Sequence, residues 1–287
     1  MIKELKANFY RILRSKSFIV ICILIFVGAV FSALEIKMIA DNPGDWIGYV
    51  EEAMAGATES SESVAINYED ASASAAVFTT NIINLGEVDN LTGVMRMTWC
   101  VDLICFLHCI FIALFISAEY KSHFHVNHFS LNSSPVFIVL IEWISLMITV
   151  VAVEFIAYGI AIGISVLICD SFSLTDVATF VKYGVLMMGV MIVYASFAFM
   201  MAYLRKAAAL SIVLSSLFVF GILDFICGFA SVWISFVQYF ALNNIFTSIA
   251  YGHYGSINYA FEVVVILFYL AVFLGIPLIV ASTRDPY

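Results

Sequence analysis

The sequence predicts an all-α polytopic membrane protein that crosses the bilayer six times, with both termini in the cytoplasm. Composition is the first reason: 63% of the 287 residues are hydrophobic, 11% are charged, and the mean hydropathy is +1.05. Soluble domains hold about 25% charged residues. No water-facing surface accommodates this much apolar material. The other two reasons are apolar runs of bilayer length and the uneven placement of Lys and Arg between them.

The apolar runs define the spans, since a helix needs about 20 apolar residues to cross the hydrocarbon core. Six runs suit this role: 18–34, 98–117, 138–168, 179–203, 207–230 and 259–282. A seventh run, 232–250, carries Gln238, Asn243 and Asn244 and has no charged flanks. We therefore expect residues 232–258 to form re-entrant helices before the last span.

The placement of basic residues orients the six spans. With the N-terminus inside, nine of the 12 Lys and Arg residues fall in cytoplasmic segments. The three in external segments are Lys37, Arg96 and Lys182. Because cytoplasmic loops carry the excess of Lys and Arg, both termini are predicted to be cytoplasmic.

Residues 1–17 are predicted to form an amphipathic elbow helix at the inner leaflet. On a helical wheel the apolar side chains share one stripe and the basic ones lie elsewhere. Flanking positive charge alone would explain the basic residues, but the apolar stripe favours a helix lying in the headgroup plane. The residues assigned to this interfacial elbow are Leu5, Phe9, Arg11, Ile12, Leu13 and Arg14.

Residues 35–97 are predicted to form an acidic external loop. They hold eleven of the 21 acidic residues, and the rest of the chain has a net charge of zero. Such a loop would concentrate cations near the outer face, which makes cationic antimicrobial peptides a hypothetical ligand. Since no concentrated basic face exists beyond the elbow, we expect no nucleic-acid partner.

The cytoplasmic segment 119–134 is too apolar for a solvated linker and is predicted to contact a partner protein. It begins with Glu119-Tyr120-Lys121 directly after a span and ends before Pro135, a residue suited to the first turn of a helix. The residues assigned to this contact are Glu119, Tyr120, Lys121, His123, Phe124, His125, His128 and Phe129.

In these features the chain resembles the permease subunits of type-2 ABC exporters. That family has a cytoplasmic elbow helix, a variable external loop, a Glu-Tyr/Phe-Lys/Arg motif after the second span, a coupling helix and a proline entering the third span. The elbow 1–17, Glu119-Tyr120-Lys121 and Pro135 match this pattern. The resemblance implies a separate ABC ATPase subunit that binds ATP and Mg²⁺, and a second permease that completes a dimer. It also implies a bacterial cell membrane and, as common roles, antimicrobial-peptide efflux or bacteriocin immunity.

Histidine and cysteine do not predict a metal or disulfide site. His123, His125 and His128 do not share one helical face, and no Cys or carboxylate cluster accompanies them. We therefore assign no metal and expect these histidines to face the partner. The six cysteines fall in or beside apolar runs and none lies in the acidic loop, which favours small buried hydrophobes.

Four ionisable residues lie within the predicted spans: Asp102, His108, Glu154 and Asp224. A charge inside a membrane is costly, so each is expected to face protein or water. They are candidates for a translocation path, with interhelical hydrogen bonding as the open alternative. Asp102 and His108 are six positions apart and so are not expected to pair. For Glu142 and Glu262 the packing or interfacial role is favoured.

No catalytic motif is present. The chain has no P-loop, no His-Glu-x-x-His zinc motif and no Gly-x-Ser-x-Gly turn, so we expect a transporter subunit without its own ATPase or cofactor. An ATP-driven exporter permease for peptides or other amphipathic compounds is the favoured function. Sodium or drug efflux, a secondary transporter independent of ATP, and an intramembrane enzyme are the alternatives.

Overall fold

The computed structural model describes residues 2–41, 89–99, 102–122, 134–242, 245, 248–249 and 257–283. Within these ranges every regular element is helical, apart from one isolated bridge between Asn90 and Ser173. In chain order the elements are α1 (Ile2–Arg14), α2 (Lys16–Asp41), α3 (Leu91–Trp99), α4 (Asp102–Lys121), α5 (Pro135–Ile168), α6 (Val177–Arg205), α7 (Ala208–Val219), α8 (Ile222–Ser231), a 3₁₀ helix (Ser235–Phe240) and α9 (Tyr259–Thr283).

Five helices are long and apolar enough to cross a membrane: α2, α4, α5, α6 and α9. Their buried faces form one continuous core. The prediction of an all-helical protein is confirmed for the described residues, and the five helices of bilayer length are consistent with a polytopic membrane protein.

Ser15 separates α1 from α2. Its hydroxyl accepts a hydrogen bond from the backbone N–H of Phe18 at 3.1 Å, which satisfies a free donor in the first turn of α2. α1 packs against α5 and α2. Ile12 is fully buried there, whereas Leu13, at the edge of the predicted apolar stripe, is 59% exposed. The apolar side of α1 is therefore used largely for contact with the bundle.

The predicted loop 35–97 both begins and ends in helix. α2 continues past Leu34 to Asp41, where Lys37 bonds Asp41 at 3.1 Å and donates to the carbonyl of Ile168 at 2.9 Å. At the other end the Asn90 side chain accepts the N–H of Gly93 at 2.8 Å and so caps α3. Polar residues are compatible with a helix that extends beyond the hydrocarbon core. Residues 42–88 lie outside the described part of the chain.

The two helices on either side of the predicted coupling segment pack against other helices and hardly against each other. α4 packs on α6 and α7, and α5 packs on α2 and α9. α2 also contacts α4, and α6 also contacts α5. Helices α4 and α5 therefore face each other across a seam whose sides are formed by α2 and α6.

Helices α6 and α9 run parallel to each other. Three contacts follow the same order along both: the Lys182 ammonium lies 5.6 Å from the Tyr259 ring centre, Gly189 faces Ile266, and the Phe197 and Phe273 ring centres are 5.2 Å apart. The chain must therefore return, between Lys206 and Asn258, from the level at which α6 ends to the level at which α9 begins.

The predicted fifth span, 207–230, is not one continuous helix. α7 and α8 are separated at Phe220 and Gly221, and Gly221 has a φ of 88°, which favours glycine. α7 runs antiparallel to α6, because Phe218 contacts Tyr194 at 5.3 Å between ring centres. At 1.5 Å per residue α7 rises only about 18 Å, less than the roughly 30 Å hydrocarbon core.

After α8 the chain packs against the first half of α9. The Tyr269 hydroxyl donates to the carbonyl of Phe240 at 2.9 Å, and the Phe240 ring contacts those of Phe261 and Phe268. The 3₁₀ helix thus lies beside the beginning of α9, in the region assigned to re-entrant structure. Residues 243–244, 246–247 and 250–256 of that region lie outside the described ranges.

Candidate functional site

The buried acidic residues on the seam between α4 and α5 lie at two levels. The two levels are named inner and outer after the predicted orientation. The inner level contains Glu119 near the end of α4 and Glu142 in the first part of α5. The outer level contains His108 and Glu154. Eleven positions of α4 and twelve of α5 separate the levels, a rise of about 17 Å and about 18 Å respectively. The matching spacings are what two antiparallel helices require.

Arg11 of α1, the helix predicted to be an elbow, joins the inner level. Its guanidinium contacts the Glu119 carboxylate, whose side chain is only 6% exposed. It also donates to the Asn8 side chain at 3.0 Å and lies 5.8 Å from the centre of the Phe115 ring. Arg11 is therefore held by its own helix and by α4 together.

Glu142 of α5 adds the second carboxylate to this group. It is 4% exposed and interacts electrostatically with Arg11. Burial lowers the pKa of Arg11, and the charge of Glu142 opposes that shift. Since an arginine pKa ordinarily exceeds 12, the guanidinium stays charged at physiological pH. One cation of α1 thus links the end of α4 to the beginning of α5.

The other residues of the Glu-Tyr-Lys motif face different surroundings. The Tyr120 ring packs on Tyr203 at 5.9 Å between centres, and the Lys206 ammonium lies 5.0 Å from its centre. Lys121 is exposed. Glu119 and Tyr120 are thus directed into the bundle, toward α1 and α6 respectively. The remaining predicted contact residues, His123, Phe124, His125, His128 and Phe129, lie outside the described ranges.

At the outer level, His108 Nε2 and Glu154 Oε1 are 2.5 Å apart. The two side chains are 5% and 0% exposed, so the pair is excluded from solvent. Within the described part of the chain, Glu154 Oε2 has no hydrogen-bond partner. Beside the pair is a crevice between α2, α4 and α5, lined among others by Phe18, Cys22 and Thr149, that is too narrow for a water molecule.

Of the four candidates for a translocation path, the structure brings two together. His108 and Glu154 form the buried pair. Asp102 is the first residue of α4, and Asp224 lies in the first turn of α8; their side chains are not among the described ones. Sequence reasoning treated each residue separately. The sequence separation between His108 and Glu119 nearly equals that between Glu142 and Glu154. This similarity is the signal that could have predicted the pairing of His108 with Glu154 and of Glu119 with Glu142.

Between the two levels a neutral hydrogen bond joins α5 to α6. The Trp143 indole N–H donates to the Ser196 hydroxyl at 3.0 Å, and that hydroxyl donates to the Ile192 carbonyl at 2.6 Å. Toward the outer end the Tyr158 hydroxyl reaches the Met95 carbonyl of α3 at 3.5 Å. Polar contacts thus follow α5 along most of its length.

Family and relatives give no further guide to this site. No protein-family model, curated protein or solved structure matches the chain. In the residues that the structure describes, no group of three or more His, Cys, Asp or Glu side chains could hold a metal ion. The arrangement consists of a charged contact among α1, α4 and α5 at the inner level and a buried ionisable pair at the outer level.

Proposed function

We propose that the chain is the membrane-spanning permease subunit of an ATP-driven exporter of the type-2 ABC class. The observation that carries this proposal is the inner-level group formed by Arg11, Glu119 and Glu142. It attaches α1 to Glu119, the first residue of the predicted coupling segment 119–134, and to α5, the helix that follows this segment. A partner that moved this segment would move α1, α4 and α5 together, as a coupling segment requires.

The proposal includes six crossings with both termini in the cytoplasm. Five crossings correspond to α2, α4, α5, α6 and α9. The parallel course of α6 and α9 requires one more passage between Lys206 and Asn258, and the interrupted pair α7 and α8 is available for it. The basic residues at the ends of α1, α4 and α6 then lie on the cytoplasmic side.

The chain would act with three kinds of partner. A separate ABC ATPase would bind ATP and Mg²⁺ and press on segment 119–134. A second permease, identical or different, would complete the pathway. The lipid bilayer of a bacterial cell membrane would surround both. No chemical step occurs in this chain; its work is a change in helix tilt driven by the ATPase.

We propose peptides or other amphipathic compounds as the exported class, with antimicrobial-peptide efflux or immunity as the role. The support is the sequence alone: acidic residues are concentrated in the external segment 35–97, where they would attract cationic peptides. Export of sodium or drugs is the alternative. Resistance assays that neutralise Glu51, Glu52, Glu59 and Glu62 separate these, since only peptide resistance should fall.

The decisive experiment joins binding to transport. The chain is purified with the ATPase encoded beside it, and substrate-stimulated ATP hydrolysis is measured in nanodiscs. Arg11→Glu should abolish stimulation, and the charge-reversed pair Arg11→Glu with Glu119→Arg should restore part of it. Arg14→Glu is the matched control, because Arg14 is exposed and contacts only the Tyr10 ring among the described interactions. Absence of any ATPase partner, or equal activity of all variants, would refute the proposal.

A secondary transporter is the second candidate, and two observations favour it. Helices that break within the membrane and buried ionisable pairs are typical of ion-coupled transporters. Here the break is at Gly221 and the pair is His108 with Glu154. Substrate flux in proteoliposomes driven by a proton or sodium gradient, without any ATPase, would support this class and exclude the first.

A further inference from the structure

The outer-level pair lies in a part of the bundle that contains almost no other charge. The core stretches of the neighbouring helices contain no Asp, Glu, Lys, Arg or His: 18–34 of α2, 183–204 of α6, 208–219 of α7 and 263–283 of α9. On α4 the next such residue toward the outer end is Asp102, and on α5 the next toward the inner end is Glu142. Among the described side chains, His108 and Glu154 are therefore the two that balance each other's charge.

Among the described side chains around the pair, no titratable group supplies a counter-charge; α3, which also packs against α5, carries Arg96, whose side chain is not among the described ones. Cys22 of α2 lines the same crevice as His108. Cys109, next to His108 on α4, turns toward α6, where its Sγ donates to the Tyr194 carbonyl at 3.6 Å. Tyr158, one turn along α5 from Glu154, directs its hydroxyl to a carbonyl of α3. These are neutral groups with other partners or apolar surroundings.

The distance between the two atoms requires a hydrogen between them. At 2.5 Å, a bare imidazole nitrogen and a carboxylate oxygen would repel each other, whereas a shared proton makes this a short charge-assisted hydrogen bond. With His108 Nδ1 also protonated, that shared proton makes the pair neutral, whichever atom carries it. Its loss leaves one negative charge, and a second added proton leaves one positive charge.

We propose that His108 and Glu154 form a proton-binding site that holds one exchangeable proton and thereby joins α4 to α5. The crevice beside it excludes water, so a net charge of either sign is strongly disfavoured there. Helices α4 and α5 have little other contact with each other. When the proton leaves to solvent, the two helices separate enough for water to reach the remaining carboxylate.

This site is independent of the exporter proposal, since it concerns proton binding in the chain itself. The first test is nitrogen NMR of ¹⁵N-histidine-labelled protein in lipid nanodiscs between about pH 5 and 8. His108 should show a protonated Nε2 in a strong hydrogen bond. In Glu154→Gln this signal should be replaced by that of a neutral imidazole, because no carboxylate remains to balance the charge of a doubly protonated ring. Glu142→Gln, the matched change at the inner level, should leave the His108 signals as in the wild type.

A His108 spectrum that is the same in wild type and Glu154→Gln would overturn the proposal. Where Glu154→Gln does not fold, His108→Gln gives an independent measurement by infrared spectroscopy. Glu154 should then absorb as a neutral carboxylic acid, because no cation remains to balance its charge. An ionised Glu154 carboxylate in that variant would equally overturn the proposal.

The separation of the helices is tested with the native Cys22 thiol. In wild type at a pH where the His108 signal has lost its shared proton, alkylation of Cys22 by a maleimide should be at least tenfold faster than in Glu154→Gln. Both proteins are compared at the same pH, which removes the pH dependence of thiol reactivity, and modified peptides are identified by mass. Equal rates would show that the proton does not hold α4 to α5.

Discussion

Replacing Arg11 by Gln should release α1 from the bundle, because it leaves two buried carboxylates without their shared cation. Glu119 and Glu142 are 5% and 4% exposed, so water compensates neither. Removing one partner of a buried ion pair costs about 3–5 kcal/mol. Since 1.4 kcal/mol is a factor of ten, even about 3 kcal/mol corresponds to a more than hundredfold rise in the fraction of α1 that is detached.

The two sides of this contact should not be equivalent. Glu119→Gln removes one carboxylate but leaves Glu142 near Arg11, so its cost should be about 1–3 kcal/mol, in the range of a hydrogen bond to a charged group. In the double variant Glu119→Gln with Glu142→Gln, the further change Arg11→Gln should cost less than about 1 kcal/mol. The free-energy cost of Arg11→Gln therefore depends on whether the two carboxylates are present.

Hydrogen exchange of the α1 amides in nanodiscs measures this directly, because detachment of α1 is a local opening. Arg14→Gln is the control: its exposed guanidinium contacts the Tyr10 ring at 4.9 Å, which is worth about 0.5–1 kcal/mol. If Arg11→Gln and Arg14→Gln accelerate exchange equally, or if the effect of Arg11→Gln persists without both carboxylates, the reasoning is wrong.

Four further predictions concern other parts of the bundle. Gly189→Val should lower stability by about 1–3 kcal/mol in a denaturant titration, since even a Cβ would lie 3.0 Å from Ile266 Cδ1, and Ile266→Ala in the same chain should recover most of the loss. Tyr269→Phe should cost about 1 kcal/mol and accelerate hydrogen exchange in the 3₁₀ helix, because it removes the bond to the Phe240 carbonyl; a change confined to α6 would contradict this. Cysteines placed at Ser173 and at Ala207, before and after α6, should be labelled by an impermeant reagent from opposite sides of the membrane. Labelling of both from the same side would contradict the prediction that α6 crosses the membrane. The protection factors of the α1 amides, which correct for the pH dependence of intrinsic exchange, should not fall as the pH is raised from about 6 to 9. Burial lowers the pKa of Arg11, so detached α1 binds this proton more tightly, and any change linked to Arg11 can only favour the attached state as the pH rises; a fall would contradict this.

Hydropathy predicted the positions of most spans because each crossing of the hydrocarbon core requires about 20 consecutive, mostly apolar residues. The helix ends were less predictable. α2 continues through Glu35 and Lys37, since polar residues can extend a helix beyond the hydrocarbon core. The break at Gly221 was missed because glycine alone is not decisive: Gly28, Gly159 and Gly163 lie within continuous helices.

The candidate site was predictable as a set of residues but not as a set of contacts. Each of Arg11, Glu119, His108 and Glu154 is conspicuous in the sequence, as a charge on an amphipathic helix or within an apolar run. Their pairing depends on which helices are neighbours, and this is decided by packing over the whole bundle. Glu142 was assigned a packing or interfacial role, but that it shares the cation Arg11 with Glu119 was not predictable from the sequence.

The attachment of α1 also has a consequence for biosynthesis. Arg11 leaves the ribosome more than a hundred residues before Glu119, and earlier still than Glu142. At a translation rate of roughly 5–20 residues per second, the nascent elbow waits about 5 to 20 seconds for its first acidic partner. During that interval α1 can be held by α2 and by the membrane surface but not by its two acidic partners, so anionic lipids would act as a temporary substitute for the two carboxylates. An N-terminal tag that prevents α1 from binding the membrane surface during this interval would lower the yield of assembled protein, even if it changed no contact of the folded structure.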